Sequence, residues 1–404
     1  MAGKNSILSG MSSDNSSFVD FIENKLLKIV DTYKKKHSRP VYTMSFGYTS
    51  HPLPPSAVQA MADYALGLGQ EETYSSYEPV TGNATLKQKL ADHYQQRSGV
   101  SIDPDDFFVT DGAQLACSAV QELFAGDGIV ALQDPSYPAF IEGTRLAGRR
   151  YISLSCSEEN GFIPVPPKEK ADIICLCFPN NPTGQTATYQ QLRAFVDYAR
   201  EHQAVIIFDA AYRSFVTSVD VPSSIYEVEG AESCAIEIGS FSKDASFTGL
   251  RVGWCIIPKS LNIQDTVQGE LHRMWSVQHQ MKFWGPANIS QCGATALLSE
   301  QGQKECQEIV SYYLDNARML RKGMEQVGLT CFGGTDNPYV WLKAPPGMDD
   351  WDFLTYLMHH TGLVGAPGSM FGAAGKGYLR LSALGRRSDI DTVLRNLPDS
   401  LPKQ

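Results

Sequence analysis

Ser240-Phe-Ser-Lys-Asp-Ala-Ser-Phe-Thr-Gly-Leu-Arg251 sets one lysine, Lys243, beside two serines, Ser240 and Ser242, with Arg251 eight residues further on. A lysine buried in an apolar, Ser- and Gly-lined loop loses part of its basicity, because desolvation penalises the ammonium form. The neutral amine is then a nucleophile toward carbonyls, the reactivity an imine-forming site requires. Two hydroxyls and a guanidinium suit a phosphate, whose oxygens arginine pairs with in bidentate fashion. An aldehyde that carries a phosphate is the molecule these groups would hold together. A solvated loop could also carry Ser, Lys and Arg, so the reading depends on what surrounds the segment.

The elements that must position it alternate between strand and helix. Ala171-Asp-Ile-Ile-Cys-Leu-Cys-Phe178 and Ala204-Val-Ile-Ile-Phe208 are continuous apolar runs, as in strands buried on both faces. Between them, Thr188 and Gln191 have capping-box spacing ahead of a helix whose apolar face is Leu192, Phe195, Val196 and Ala199. Phe107-Phe-Val-Thr-Asp-Gly-Ala113 reads as a strand running into a turn, with a helix following from Ala113 to Phe124, and free N–H groups at such a helix start form an anion site. Met44 to Gly47 reads as a short strand before a Pro-rich turn, and Phe18, Ile22, Leu26, Ile29, Val30 and Tyr33 fall on one helical face. Strands alternating with helices predict an α/β fold with a mostly parallel sheet and loops gathered at the strand C-terminal ends.

Composition narrows the class. With 404 residues, 43% hydrophobic and 19% charged, the chain has the make-up of a globular protein of two domains, or one domain with an appendage. A formal net charge of -10 argues against a nucleic-acid face. No apolar stretch is long enough for a bilayer span, and the N-terminus lacks a signal-peptide core, so a cytoplasmic protein with no membrane partner is expected. The nine cysteines have no zinc-like spacing. Cys175 and Cys177 read as core and His359-His360 as a helix-surface pair, so no metal is expected.

Several segments together resemble the class I/II aminotransferases, fold-type I enzymes that use pyridoxal 5'-phosphate. These are Asp134-Pro-Ser-Tyr-Pro138, Pro179-Asn-Asn-Pro-Thr-Gly184, Asp209-Ala-Ala-Tyr212, Ser240-Phe-Ser-Lys243 through Arg251, and Gly377-Tyr-Leu-Arg-Leu-Ser382, in family order. The motifs are most similar to the LL-diaminopimelate aminotransferase branch. The resemblance implies that Lys243 carries the cofactor and that Asp209 pairs with its pyridine nitrogen. It implies that Asn181 and Tyr212 meet the phenolic oxygen and Tyr137 stacks on the ring. The phosphate would rest on Ser240, Ser242, Arg251 and the helix start at Ala113 and Gln114. Arg380 would clamp the substrate α-carboxylate, with Gly47 and Asn181 nearby and Tyr48 and Glu72 toward the side chain. Tyr77 would reach the partner's cofactor phosphate, which makes the expected assembly a homodimer with shared sites. The implied organisation is an arm over 1–17, a small α+β domain from 18–55 and 291–404, and a large cofactor-binding domain over 56–290.

The chain departs from the branch at Tyr48 (Asp there), Gln114 (Lys), Glu78 (Gly) and Trp284 (Asn). Diaminopimelate is therefore expected to be a poor substrate, with a polar or cationic side chain preferred and met by Glu72 or Glu78. Two reaction classes fit the motifs: transamination between an L-amino acid and a 2-oxo acid, and elimination, replacement or cyclisation at Cβ or Cγ. A cofactor-bearing regulator is a third class, but the arm leaves no room for the DNA-binding domain such proteins usually carry.

Overall fold

In the computed structural model, which describes residues 18, 21–124, 126–263 and 266–398, the expected apolar runs are neighbouring strands; the arm expected over 1–17 lies outside the described residues. In chain order the strands are β1 (Tyr42–Thr43), β2 (Phe107–Thr110), β3 (Val130–Asp134), β4 (Tyr151–Ser155), β5 (Ile173–Cys177), β6 (Val205–Asp209), β7 (Ala235–Ser240), β8 (Gly253–Ile256), β9 (Cys331–Gly333), β10 (Tyr339–Lys343), β11 (Leu363–Val364), β12 (Ala366–Pro367) and β13 (Tyr378–Ser382). Every residue of β5 and β6 is buried, and the two pair in parallel from Ile173 opposite Val205 to Cys177 opposite Asp209. They sit inside a seven-stranded sheet ordered β2-β8-β7-β6-β5-β3-β4. Its only antiparallel member is β8, which runs against both β2 and β7.

Strand alternation sends successive side chains to opposite cores. Ile173, Cys175, Cys177, Val205 and Ile207 pack on one face with Phe108, Val130 and Trp275. Ile174, Leu176, Ile206 and Phe208 pack on the other, against Leu192, Phe195, Val196 and Ala199 of the helix Tyr189–His202. That helix begins as its spacing predicts, with Thr188 Oγ1 accepting from the Gln191 N–H and Gln191 Oε1 from the Thr188 N–H. Behind β7 and β8, the carboxylate of the fully buried Glu237 accepts from Tyr94 (2.7 Å), Ser224 (2.6 Å) and the Ile225 N–H (2.9 Å). Burial raises the Glu237 carboxyl, and these donors oppose it.

A second, antiparallel sheet is ordered β12-β13-β10-β9, and β1 pairs with β11. Its core joins Leu26, Val30, Tyr33 and Met44 to Leu320, Trp341, Leu357, Leu379 and Val393. The short strand expected over Met44 to Gly47 does not form there; the strand is Tyr42–Thr43, just before it. The Met44 N–H still bonds to Val364 O at 2.8 Å, but beyond it the backbone leaves the ladder and turns toward Lys243. The helix at Ala113 is also tightened: regular α geometry covers Ala113–Ala119 and a 3₁₀ turn completes it over Val120–Leu123. No helix among the described residues is long and apolar enough to cross a membrane, and all nine cysteines are free thiols.

Candidate active site

Five strand ends of the large sheet converge on one cavity of about 290 Å³. β2 delivers Ala113 and Gln114; β3 delivers Tyr137 and Pro138; β5 delivers Asn181; β6 delivers Asp209 and Tyr212; β7 delivers Ser240, Ser242 and Lys243. The opposite wall comes from the second sheet, with Tyr339 of β10 and Arg380 of β13, and from the Phe46-Gly47-Tyr48 segment. Open α/β sheets place sites at the carboxyl ends of their strands, where the backbone leaves the ladder and side chains are free to face a ligand.

Lys243 Nζ donates to the Gly47 carbonyl at 2.6 Å. A Cβ on Gly47 would stand 2.8 Å from Tyr339 Oη and 2.9 Å from Lys243 Nζ, so any larger residue there would push the Lys243 amine or the Tyr339 hydroxyl aside. Burial, with Arg380 and Arg251 adding repulsion, pulls the Lys243 ammonium down to about 8, against a smaller opposing pull from Asp209. In the apoprotein the amine is therefore protonated below that value and free above it. Reductive methylation followed by peptide mapping should find Lys243 reacting with a midpoint near pH 8, about two units below ordinary lysines. A midpoint at the ordinary lysine value would show that the site does not desolvate it.

Asp209 is buried, and its carboxylate accepts from the Ala211 N–H at 3.0 Å. Burial raises it to about 6, while that N–H, the thiols of Cys177 and Cys117, and Lys243 pull it back. Tyr212 and Tyr339 share a hydrogen bond between their hydroxyls at 2.8 Å. Arg380 is buried and spans the two halves: Nη1 donates to Asn181 Oδ1 at 2.6 Å and Nη2 to Ser45 O at 2.5 Å, while Nε has no partner. Arg251 leans on the opposite end, donating to Thr248 O at 3.1 Å and Asp111 O at 3.2 Å. Gly112 has φ +78°, and a Cβ there would collide with the Arg251 guanidinium.

The lining residues fit pyridoxal 5'-phosphate. Arg251, the Ser240 and Ser242 hydroxyls, and first-turn N–H groups that lack intrahelical acceptors gather at one end, as a phosphate needs. A carboxylate for a protonated ring nitrogen, phenols for an oxyanion and an amine for an aldehyde complete the set. Beyond these, the orphaned Nε leaves Arg380 able to take up another anion. Three cations face one carboxylate among the described lining residues, an imbalance that calls for anionic ligands.

Most of the residues singled out in the sequence are thus brought together. Tyr137 lines the cavity, and its hydroxyl donates to Gln114 Oε1 at 3.3 Å; Tyr48 lies at the mouth, 72% exposed, stacked on Phe46 at 5.2 Å. Three do not join the cavity of their own chain. Tyr77 is 83% exposed and leans on Trp284, with ring centroids 5.2 Å apart. Glu72 lies on the same exposed loop, and Glu78 accepts from Asn83 Nδ2 at 3.1 Å, away from Lys243. Exposure is the physical reason: this loop has no core of its own chain to turn its side chains inward. Tyr339, Thr248, Phe18, Phe46 and Phe371 line the cavity without having been singled out for the site. Tyr339 gave no local signal, since Asn337-Pro-Tyr reads only as the start of a strand.

This arrangement is that of a fold-type I aminotransferase, and the chain belongs to the family Aminotransferase class I and II, which it matches over residues 41–397. The family uses pyridoxal 5'-phosphate. An LL-diaminopimelate aminotransferase of Lachnospira eligens is 40% identical over 371 residues, 89% of this chain and 91% of that protein. The L,L-diaminopimelate aminotransferase structure from Chlamydomonas reinhardtii superposes with a TM-score of 0.86 at 33% identity, covering 93% of this chain and 94% of that one. A Thermus thermophilus aspartate aminotransferase mutant shares the fold, with a TM-score of 0.83 at 20% identity over 98% and 99% of the two chains.

Proposed function

We propose that this aminotransferase moves the amino group of an L-amino acid through Lys243, with Arg380 as the carboxylate clamp. The observation that carries the reading is one amine of lowered basicity, 2.6 Å from the Gly47 carbonyl, in a cavity that has Arg251 at one end and Arg380 at the other. Bound there, pyridoxal 5'-phosphate supplies the carbonyl and the electron-withdrawing ring that no side chain offers.

Each side chain has a task in that reading. Arg251, Ser240 and Ser242 hold the phosphate, and Asp209 keeps a proton on the ring nitrogen. Asn181 and Tyr212 donate to the phenolic oxygen, with Tyr339 orienting the Tyr212 hydroxyl. Arg380 fixes the substrate carboxylate through its planar fork, which aims the Cα hydrogen at Lys243. Lys243 Nζ takes that proton and returns it as a general base and acid, a role that a basicity near neutrality favours. Elimination at Cβ or Cγ would need the same groups plus one that expels the side-chain substituent. Transamination needs no group beyond those just named, so it is the better-supported reaction. Borohydride reduction of the holoenzyme and peptide mapping should place the cofactor on Lys243; label on another lysine would overturn the assignment.

The reading includes a homodimer. Tyr77 is remote from its own cavity, and it and Trp284 present aromatic surface to the outside, as a tyrosine serving a partner's site would. Mixed dimers of Tyr77→Ala and Lys243→Ala chains should regain activity approaching one intact site per dimer, whereas each homodimer stays poor. Verified mixing without recovery would remove Tyr77 from the shared site. A cytoplasmic setting suits the nine free thiols. The domain division at 18–55 with 291–404 against 56–290 is favoured by the shared core of the first and last segments. Packing of Ala294 and Leu297 with Ala57 and Leu86 supports a second boundary beyond Leu298 instead of at 290.

A further inference from the structure

β6 and β7 lie side by side in parallel, and each carries a cavity residue beyond the end of its ladder: Tyr212 three residues past Asp209, and Lys243 three residues past Ser240. The strands pair as far as Asp209 opposite Ile238, closed by the Ala210 N–H to Ile238 O at 2.8 Å. Past that bond, what joins the two segments among the described residues is a side-chain contact, Ser214 Oγ donating to Asp244 Oδ2 at 2.6 Å. Ser214 sits in the 3₁₀ turn Arg213–Phe215 that follows Tyr212, and Asp244 directly follows Lys243. Asp244 is buried, and its Oδ1 has no hydrogen-bond partner among the described residues. Burial raises its carboxyl, and the Ser214 hydroxyl leads the groups that oppose the rise. Neither residue lines the cavity, and the bond lies within one chain, clear of whatever a partner subunit brings to the mouth.

We propose that Asp244 is a positioning residue for the reaction proposed above, on which this inference rests: through Ser214 it fixes the spacing between the Tyr212 hydroxyl and the Lys243 amine. Each of those side chains is tethered at its tip by one hydrogen bond, Lys243 to Gly47 O and Tyr212 to Tyr339. Both tethers run to the opposite wall, so neither ties one loop to the other. The Ser214 bond supplies that link, and a hydroxyl on a buried carboxylate is a charge-assisted bond, stronger than a neutral one. Spacing matters here because a misplacement of about 1 Å at a reacting group costs up to about 10²-fold in rate. The turn that carries Ser214 has other supports. Arg97 donates to Arg213 O at 3.1 Å and Val216 O at 3.2 Å, and Asp336 Oδ1 accepts from the Thr217 N–H and hydroxyl at 2.7 Å each. The turn should therefore stay folded when Ser214 is changed, and the loss is read at Lys243.

The test compares Ser214→Ala, Asp244→Ala and Asp244→Asn with the parent, as apoprotein and as holoenzyme. In the apoprotein, Ser214→Ala leaves the charge of Asp244 in place, and the midpoint for methylation of Lys243 should rise from about 8 by roughly half a pH unit or more, because a loosened loop admits water to the amine. In the holoenzyme, Ser214→Ala and Asp244→Ala should each lower kcat about ten-fold while KM for the amino donor changes less than about two-fold. The pH midpoint of the cofactor absorbance should move with kcat, since it responds to the donors at the phenolic oxygen. Asp244→Asn keeps an acceptor for Ser214 and should recover most of the rate lost in Asp244→Ala. The double variant Ser214→Ala with Asp244→Ala should lose little more than either alone, as two halves of one bond do. A lower melting temperature with kcat and both midpoints unchanged would show a bond that serves stability alone, and would overturn the proposal. Equal losses in Asp244→Asn and Asp244→Ala would also overturn it, because charge and not spacing would then be at work. Absence of borohydride label on Lys243 in the parent would instead overturn the reading beneath it.

Discussion

Lys243→Ala is expected to lower turnover by about 10⁴-fold or more, since in the proposed reaction Lys243 is both the amine that holds the cofactor and the general base. The protein should remain folded. Lys243 is anchored by one hydrogen bond to Gly47 O, and its charge is disfavoured where it stands, so its removal relieves the apoprotein of a poorly solvated ammonium. The phosphate grip proposed for Arg251, Ser240 and Ser242 is untouched, so the variant should still retain the cofactor through gel filtration. Borohydride should then fail to fix it. Small primary amines added to the medium should restore part of the rate, because the space vacated by Nζ lies inside the cavity. Loss of cofactor retention together with activity, or activity near that of the parent, would contradict this assignment.

Asp209→Ala should leave Lys243 reactive and lower turnover by about 10³-fold, the scale of losing a single preorganised electrostatic partner. Asp209 is the one acid among the described residues lining the cavity, and it faces three cations there. Its folded value of about 6 lies above the ordinary 3.8, so the burial cost of the carboxylate is present above pH 6 and is relieved as protonation proceeds below it. A cationic ring nitrogen brought to this carboxylate opposes that cost. Cofactor binding to the apoprotein should consequently weaken as pH falls through about 6 and a proton takes the partner's place. Asp209→Ala should lose this pH dependence as well as turnover, and should still carry borohydride label on Lys243. Undiminished turnover in the variant would remove Asp209 from the mechanism.

Between them the two variants separate the ends of the site. Lys243 reports the reacting carbonyl, and Asp209 reports the ring nitrogen. In the proposed reaction Arg380 holds the substrate carboxylate, so its variants should change donor binding more than the cofactor's spectrum.

The sequence by itself determined whatever depends on neighbours along the chain. The runs of β5 and β6 specify buried parallel strands because both faces must be apolar, and the Thr188–Gln191 box marks a helix start because its two hydrogen bonds close within one turn. Lys243, Ser240, Ser242 and Arg251 were legible as one group for the same reason: a single loop carries them. Tertiary structure alone decided how distant segments meet. Lys243 finds Gly47 across 196 residues, Arg380 finds Asn181 across 199, and Tyr339 finds Tyr212 across 127. Periodicity reports which face of an element is buried, and it carries no information about which strand end a second sheet will cover. Tyr339 and the rings of Phe18 and Phe371 therefore entered the site only when the sheets docked, while Glu72 and Tyr77, on a loop with no core to bury them, were turned outward. The group around Lys243 is thus written locally, and the wall that closes over it is set by packing between segments from both ends of the chain.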